Sequence, residues 1–189
     1  MSDQNCKKNL TLITGGARAG KSELAESLAN EHGSTVHYLA TMRRWPDDRE
    51  GAERIERHRQ RRPAGWKTIE VDLGLDRAVK DLPAGPGCVL IDCLSVYVSN
   101  LLLAGYCDQE NPFDRQPVIV ESIDNLLDAI GSRQDLDFLT VTNEVGWGVI
   151  PQTILGRAYR DLLGIANKTF AREAASVWLM CSGLKLKLK

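Results

Sequence analysis

The sequence predicts an α/β fold in which helices flank a mostly parallel sheet. Short apolar runs rich in β-branched residues alternate along the chain with longer amphipathic stretches that have helical periodicity. This alternation is typical of a parallel sheet that is covered on both faces. The 189 residues suffice for one domain with its own core, and no stretch rich in proline and glycine separates two cores. We therefore predict a single domain over residues 1–189.

Six strands are expected, followed by a strand at the edge of the sheet. Each is a short apolar or β-branched run that is bounded by glycine, proline or polar residues. They cover residues 9–16, 35–41, 68–71, 88–92, 137–142 and 176–180. The C-terminal LKLKLK alternates apolar and basic residues, a pattern that favours an edge strand over a tail that binds nucleic acid.

Five helices are expected between these strands. In the first and the last of them, apolar residues recur at the helical period. The predicted helices cover residues 20–33, 46–62, 93–105, 118–131 and 153–175, and residues 107–117 are expected to form an exposed loop. The last helix should bury a stripe made of Ile154, Ala158, Leu162, Ile165, Ala166 and Phe170.

Composition excludes several classes of protein. The net charge is −1, so no overall field favours nucleic acid or an anionic membrane. No apolar run approaches the roughly 20 residues that span a bilayer, and the N-terminal MSDQNCKKN lacks the apolar core of a secretory signal. The five cysteines are scattered and form no C-x-x-C pair, which indicates reduced thiols. We therefore expect a cytoplasmic protein that neither spans a membrane nor binds nucleic acid.

The turn after the first strand carries a phosphate-binding motif. Residues 15–22 read GGARAGKS and match the Walker A pattern G-x-x-x-x-G-K-[ST] between a strand and a helix. Its glycines let backbone N–H groups close around phosphate oxygens, and the helix adds the positive end of its dipole. Lys21 should reach the β- and γ-phosphates, and Ser22 should ligate Mg²⁺. The fold is therefore expected to be that of a P-loop NTPase of the RecA-like type, with a nucleotide held by Gly15, Gly16, Ala17, Arg18, Ala19, Gly20, Lys21 and Ser22.

A second acidic group for the metal is expected at Asp92. It ends the apolar run VLID, as in a Walker B motif. The carboxyl ends of parallel strands meet at one edge of a sheet, so Asp92 should face the Walker A loop and hold Mg²⁺ directly or through water. The alternative is that Asp92 caps the helix that follows, because aspartate is a good N-cap residue.

The most basic stretch of the chain surrounds a histidine. Residues 53–63 read ERIERHRQRRP, with five arginines around His58. Upstream glutamates can pair along a helix with the first arginines, whereas Arg61 and Arg62 have no acidic residue three or four positions before them. One interpretation is a solvated, salt-bridged helix, and composition alone favours it. The other is an anion site in which arginines grip a triphosphate and a neutral imidazole attacks phosphorus.

The chain resembles the bifunctional adenosylcobinamide kinase/adenosylcobinamide-phosphate guanylyltransferase family. The matching segments are ITGGARAGKSELAE, YLAT, RIERHRQRRPAGWKTIE, LID, VTNEVGWGVIP and the C-terminal RAYRDLLGIANKTFAREAASVWLMCSGLKLKLK. These segments occur in the same order as in the family and extend over nearly the whole length of the chain. A Walker A loop alone is widespread, but its combination with the histidine–arginine block and the TNEVG segment is specific.

The resemblance implies a two-step enzyme. In the first step the γ-phosphoryl group of ATP or GTP passes to adenosylcobinamide. In the second step GMP passes from GTP, through a guanylylated histidine, to adenosylcobinamide phosphate, which yields adenosylcobinamide-GDP and pyrophosphate. The resemblance also implies Mg²⁺ as the cofactor and a homo-oligomer, specifically a trimer.

The family motif places His58 as the catalytic histidine. By the same resemblance, the nucleotide-binding residues beyond the Walker A loop are Ala40, Thr41, Met42, Arg59, Gln60, Arg61, Arg62, Glu70 and Asp92. The metal ligands implied are Ser22 and Asp92.

Two other functions agree with the Walker A loop. One is a small-molecule kinase that forms no covalent nucleotidyl intermediate. The other is a RecA-like ATPase that binds nucleic acid through the arginine helix, which the near-neutral charge disfavours. The segment NEVG at 143–146 also has two interpretations, because it either lines the active crevice or forms a turn in which Glu144 caps a helix.

Overall fold

A parallel sheet forms the centre of the computed structural model, which describes residues 7–33, 35–43 and 48–189. In these residues seven strands form one sheet in the order β3-β2-β4-β5-β1-β6-β7. They are β1 (Lys7–Gly15), β2 (Thr35–Ala40), β3 (Lys67–Glu70), β4 (Gly87–Asp92), β5 (Leu136–Val141), β6 (Ala174–Cys181) and β7 (Leu184–Lys187). All neighbours pair in parallel except β6 and β7, which are antiparallel. The predicted α/β class and the C-terminal edge strand are thereby confirmed.

Six α-helices are present in the described part of the chain. They are α1 (Lys21–Glu31), α2 (Arg49–Arg61), α3 (Leu75–Lys80), α4 (Leu94–Leu103), α5 (Gln116–Ser132) and α6 (Ile154–Glu173). Five of them confirm the predicted helices to within a few residues, although residues 46–47 of the second prediction lie outside the described ranges. The short helix α3 was not predicted, and the expected loop at 107–117 contains a 3₁₀ helix at Pro112–Arg115.

The two faces of the sheet bury different helices. Helices α3, α4, α5 and α6 cover one face, where Leu10, Leu12, Val89 and Ile91 point. Helix α1 packs on the other face against the intervening strand residues. Because both faces of the central strands are buried, these strands read in the sequence as continuous apolar runs.

The expected stripe on α6 is largely confirmed. Ala158, Leu162, Ala166 and Phe170 are fully buried, but Ile154 is 49% exposed, so its inclusion in the stripe was wrong. Ile154 is the first residue of the helix and precedes the part of α6 that lies on the core.

Four cysteines in the described residues carry free thiols. Within the described residues the free cysteines are Cys88 and Cys93, both buried, and Cys107 and Cys181, both exposed, whereas Cys6 lies outside these residues. No helix in the described ranges is long and apolar enough to cross a membrane.

Candidate active site

The Walker A loop connects β1 to α1 with a backbone that requires glycine. Gly15 has φ +145°, and a Cβ atom there would collide with the carbonyl oxygen of Met180 on β6. Gly20 has φ +95°, and the loop between these two glycines is tied to the β6–β7 turn by a hydrogen bond from the Gly183 N–H to the Ala19 carbonyl at 3.2 Å. The loop therefore has a fixed shape, which suits backbone amides that grip phosphate.

Lys21 opens α1 and is almost completely buried, with 7% of its surface exposed. Its ammonium group donates to the Gly16 carbonyl oxygen at 2.5 Å, so the side chain folds back over the loop. Ser22 follows it in the first turn of α1 and is half-buried. Both motif side chains thus lie at the start of α1, directly after the loop where the sequence places the phosphates.

A cavity of about 220 Å³ lies beyond the carboxyl ends of β2 and β4. Its wall includes seven residues that the resemblance assigns to the site: Ala40, Met42, His58, Arg59, Arg62, Glu70 and Asp92. The other lining residues are Tyr38, Ile55, Thr68, Cys93 and Val96. Residues that are more than 50 positions apart in the chain therefore meet in one pocket, with the histidine among them.

Asp92 does not cap the following helix. It is the last residue of β4, and the N-cap position of α4 belongs to Cys93. Its Oδ2 atom accepts a hydrogen bond from the Tyr38 hydroxyl and lies 3.5 Å from the His58 Nδ1 atom. Burial raises the pKa of the Tyr38 phenol well above its usual value, and the charge of Asp92 adds to this effect, so the phenol stays protonated and acts as the donor.

Thr41 joins the ends of β2 and β4. Its fully buried hydroxyl accepts from the Cys93 N–H and donates to the Cys93 carbonyl, both at 2.8 Å. Its N–H donates to the Asp92 carbonyl at 3.2 Å, and the Asn100 amide donates to the Thr41 carbonyl at 2.8 Å. Thr41 therefore holds the two strand ends together behind the pocket, an arrangement that its sequence position did not indicate.

Arg61 has no acidic partner among the described residues of α2 but pairs with two glutamates of another helix. Its guanidinium donates to Glu23 Oε1 at 3.0 Å and to Glu26 Oε2 at 2.9 Å. Both glutamates belong to α1, so a search along α2 alone missed them. Gln60 is exposed and donates to Glu56 at 3.0 Å, and it is not among the residues that line the pocket.

Arg62 is held against the pocket wall. Its guanidinium carbon lies 3.5 Å from the centroid of the Tyr38 ring, and its Nη1 atom donates to the Thr68 hydroxyl at 3.3 Å. A guanidinium stacked on an aromatic ring keeps its charge and a fixed orientation.

Glu26 is a buried carboxylate that the sequence did not single out. It lies one helical turn after Ser22, and burial raises its pKa although Arg61 acts against that rise. Within the described structure its Oε1 atom is buried without a hydrogen-bond partner. Its negative neighbours include Asp92, so α1 and β4 bring two carboxylates to the same region.

The NEVG segment begins at the Walker A loop. The Glu144 N–H donates to the Gly15 carbonyl at 3.0 Å, and its carboxylate accepts from Thr14 and from Asn167, each at 3.3 Å. Glu144 is not a helix cap, because Thr153 caps α6. This segment is therefore fastened beside the phosphate-binding loop by a partly buried polar network.

A mostly parallel sheet with a Walker A loop after its first strand, and with an acidic residue at the end of β4, defines a P-loop nucleotide-binding protein. The chain belongs to the cobinamide kinase / cobinamide phosphate guanyltransferase family, whose model matches residues 11–188.

Three relatives support this membership. The chain is 39% identical to the bifunctional adenosylcobalamin biosynthesis protein CobP of Pseudomonas aeruginosa, over 94% of this chain and 96% of that protein. It is 39% identical to the protein CobU of Escherichia coli K12, over 95% of this chain and 99% of that protein. The identity to the CobU protein of Salmonella typhimurium is 37%, over the same shares.

Solved structures share the fold at low sequence identity. An ATPase of a type III secretion system aligns with a TM-score of 0.57 and 12% identity, and the match covers 95% of this chain but 57% of that one. The protein PH0250 of Pyrococcus horikoshii OT3 aligns with a TM-score of 0.56 and 8% identity, over 96% of this chain and 86% of that one. The type III secretion ATPase supports the predicted P-loop NTPase fold.

Proposed function

We propose that this protein is a bifunctional enzyme of cobalamin biosynthesis. It phosphorylates adenosylcobinamide with ATP or GTP, and then transfers GMP from GTP through a guanylylated His58 to give adenosylcobinamide-GDP and pyrophosphate. Family membership over nearly the whole chain supports both activities. The observation that carries the second activity is the position of His58 in the pocket wall beside Asp92, Arg59 and Arg62.

In the kinase step, the Walker A loop binds the triphosphate. Backbone N–H groups between Gly15 and Gly20 and the N-terminus of α1 face the phosphate oxygens, and Lys21 leaves the Gly16 carbonyl to contact them. The hydroxyl of adenosylcobinamide then attacks the γ-phosphorus as the bond to the β-phosphate oxygen breaks. The cationic loop stabilises the charge that spreads over the phosphoryl oxygens.

In the transfer step, an imidazole nitrogen of His58 attacks the α-phosphorus of GTP. A phosphorus–nitrogen bond forms, and the bond to the pyrophosphate leaving group breaks. An oxygen of adenosylcobinamide phosphate then attacks the same phosphorus and releases His58. Arg59 and Arg62 in the pocket wall supply positive charge for the phosphate groups in both halves.

Ser22 and Asp92 would hold a Mg²⁺ ion by the chemistry of their oxygen atoms. The described residues contain no cluster of three or more histidine, cysteine or acidic side chains that could hold a metal. One hydroxyl and one carboxylate oxygen, together with phosphate oxygens of the nucleotide, form the donor set that Mg²⁺ prefers. When bound, the ion neutralises charge on the phosphates.

We further propose a homotrimer in the cytoplasm that binds no nucleic acid. Exposed apolar side chains support self-association, and they include Trp147, Val149 and Ile150 after β5 and Leu184, Leu186 and Leu188 at the edge of the sheet. The free thiols support a reducing compartment. Light scattering coupled to size-exclusion chromatography tests the trimer, and a mass equal to one chain contradicts it.

Product analysis by mass spectrometry tests the proposed activities. The protein is incubated with adenosylcobinamide, ATP and GTP, and the corrinoids are resolved by mass. Adenosylcobinamide phosphate should appear first and adenosylcobinamide-GDP second, and Lys21→Ala should suppress the first product. A product that stops at the phosphate, even with excess GTP, instead supports the alternative of a simple P-loop kinase.

A further inference from the structure

The Asp92 carboxylate links His58 to Tyr38. Asp92 Oδ2 lies 3.5 Å from the His58 Nδ1 atom and also accepts from the Tyr38 hydroxyl. The side chain of Asp92 is 10% exposed and that of His58 is 23% exposed, so solvent competes only weakly with these contacts. A separation of 3.5 Å lies at the outer limit of a hydrogen bond, and catalytic contacts of this length commonly shorten when substrate binds.

The contact determines which imidazole nitrogen can attack. An ionised carboxylate only accepts hydrogen bonds, so a neutral imidazole that bonds to it through Nδ1 carries its proton on that nitrogen. The lone pair is then on Nε2, which becomes the nucleophile. As the phosphorus–nitrogen bond forms, the ring becomes positively charged, and the carboxylate stabilises that charge in the way the aspartate of a serine-protease triad does.

Tyr38 fixes the carboxylate. In the parallel pairing of β2 with β4, Tyr38 lies opposite Leu90, so Asp92 is two residues further along on the same face of the sheet. Tyr38 is 1% exposed and contacts both the Arg62 guanidinium and the Trp66 ring, whose centroid lies 6.2 Å away. A side chain held this firmly limits the rotation of Asp92 about its terminal bond.

We infer that Tyr38 and Asp92 are positioning residues for guanylyl transfer: Tyr38 orients Asp92, and Asp92 holds His58 as the Nδ1-protonated tautomer with Nε2 as the attacking atom. This inference rests on the proposed function. Both contacts use Oδ2 of Asp92.

Nitrogen NMR of the histidines tests the tautomer without nucleotide or metal. The chain contains three histidines, and His58→Ala assigns the signals of His58. Spectra are recorded at about pH 8.5, where histidine is neutral given its ordinary pKa of about 6.5. Wild type should show the Nδ1-protonated form, and Tyr38→Phe and Asp92→Ala should each show a mixture of the two tautomers.

A single-turnover reaction with saturating GTP that is labelled at the α-phosphate supplies the second readout. Tyr38→Phe should lower the rate of label transfer to His58 by at least about tenfold, as loss of a group that orients a reactive side chain does. Tyr97→Phe is the matched control, because Tyr97 is also 1% exposed but packs on the opposite face of the sheet. It should change neither the tautomer nor the rate.

The outcomes separate this inference from the proposed function. Wild-type tautomer and wild-type labelling rate in Tyr38→Phe would overturn the positioning role. If Tyr38→Phe does not fold, the NMR spectrum of Asp92→Ala serves as the test. An unchanged Nδ1-protonated form of His58 in that variant overturns the inference. Wild-type protein that takes up no label on His58 contradicts the proposed guanylyl transfer, whereas the tautomer spectra still decide the inference.

Discussion

The Arg61 guanidinium fastens the end of α2, which carries His58, to the start of α1. Replacing Arg61 by methionine keeps an unbranched apolar stem but removes both ion pairs. It leaves the Glu26 carboxylate, whose side chain is 12% exposed, without its guanidinium partner and with Oε1 already unpaired among the described residues. We therefore expect Arg61→Met to destabilise the protein by removing charge compensation at a buried site.

The size of the expected loss in stability depends on how exposed the paired side chains are. Removing one partner of a fully buried ion pair costs about 3–5 kcal/mol, whereas exposed pairs contribute roughly 0.2–1 kcal/mol. The Arg61 side chain is 36% exposed and Glu26 is nearly buried, so the pair lies between these limits. Solvent screening at Arg61 moves the expected loss towards the lower limit, to about 1–2 kcal/mol in the free energy of unfolding.

The effect should also depend on pH. Burial raises the pKa of Glu26 in the folded state, so between the ordinary value of 4.5 and the raised one the folded chain binds more protons than the unfolded chain. Stability contributed by this group therefore falls as pH rises above 4.5. Without Arg61 the pKa of Glu26 rises further, so Arg61→Met should be more destabilising at pH 7 than at pH 5.

Urea unfolding of a double-mutant cycle measures this coupling. Arg61→Met, Glu26→Gln and the double variant are compared with wild type at both pH values, and the double variant should lose less than the sum of the single losses. Arg57→Met, at an exposed position of the same helix, is the control and should stay within about 0.5 kcal/mol of wild type. Additive losses, or an Arg61→Met variant as stable as the control, would refute the reasoning.

Two further predictions concern backbone shape and a buried histidine. Gly15→Ala should cost roughly 3 kcal/mol of stability and abolish ATP binding in calorimetric titration, because its φ is positive and the Met180 carbonyl blocks a Cβ. Gly16→Ala, where no heavy atom lies within 4 Å, should cost less than about 1 kcal/mol, and equal losses would contradict the argument. Burial lowers the pKa of His37, which is 4% exposed, so the unfolded chain takes up a proton below pH 6.5 before the folded chain does. The free energy of unfolding should fall on acidification below pH 6.5 by up to about 1.4 kcal/mol per pH unit. Urea unfolding of His37→Leu should lack this contribution. If stability depends on pH in His37→Leu as it does in wild type, His37 is not the source.

The fold could be predicted because its signals are local. Strands buried on both faces gave continuous apolar runs, and the Walker A loop requires glycines at fixed spacing. Helix α3 escaped prediction because it has six residues, too few for a periodic pattern, and it depends on packing Leu75 and Val79 against the core. Propensity over so short a segment gives little information, since tertiary packing decides it.

The site could be predicted only in part. The sequence indicated His58 and Asp92, because the first lies in an arginine block and the second ends an apolar strand. It did not indicate that Tyr38 would bond to Asp92, since that contact arises from the register of two strands. Nor did it indicate that Arg61 would pair with Glu23 and Glu26, which belong to a helix more than 30 positions away. Contacts between elements are set by tertiary packing, which one-dimensional patterns do not record.

Covalent labelling of His58 tests the central claim most directly. Protein incubated with GTP labelled at the α-phosphate should acquire a label that is stable to base and labile to acid, as a phosphorus–nitrogen bond is. Peptide mapping should place it on His58, and His58→Ala should take up none while still phosphorylating adenosylcobinamide. Label on another residue, label that persists in His58→Ala, or wild-type protein that stays unlabelled would contradict guanylyl transfer through this histidine.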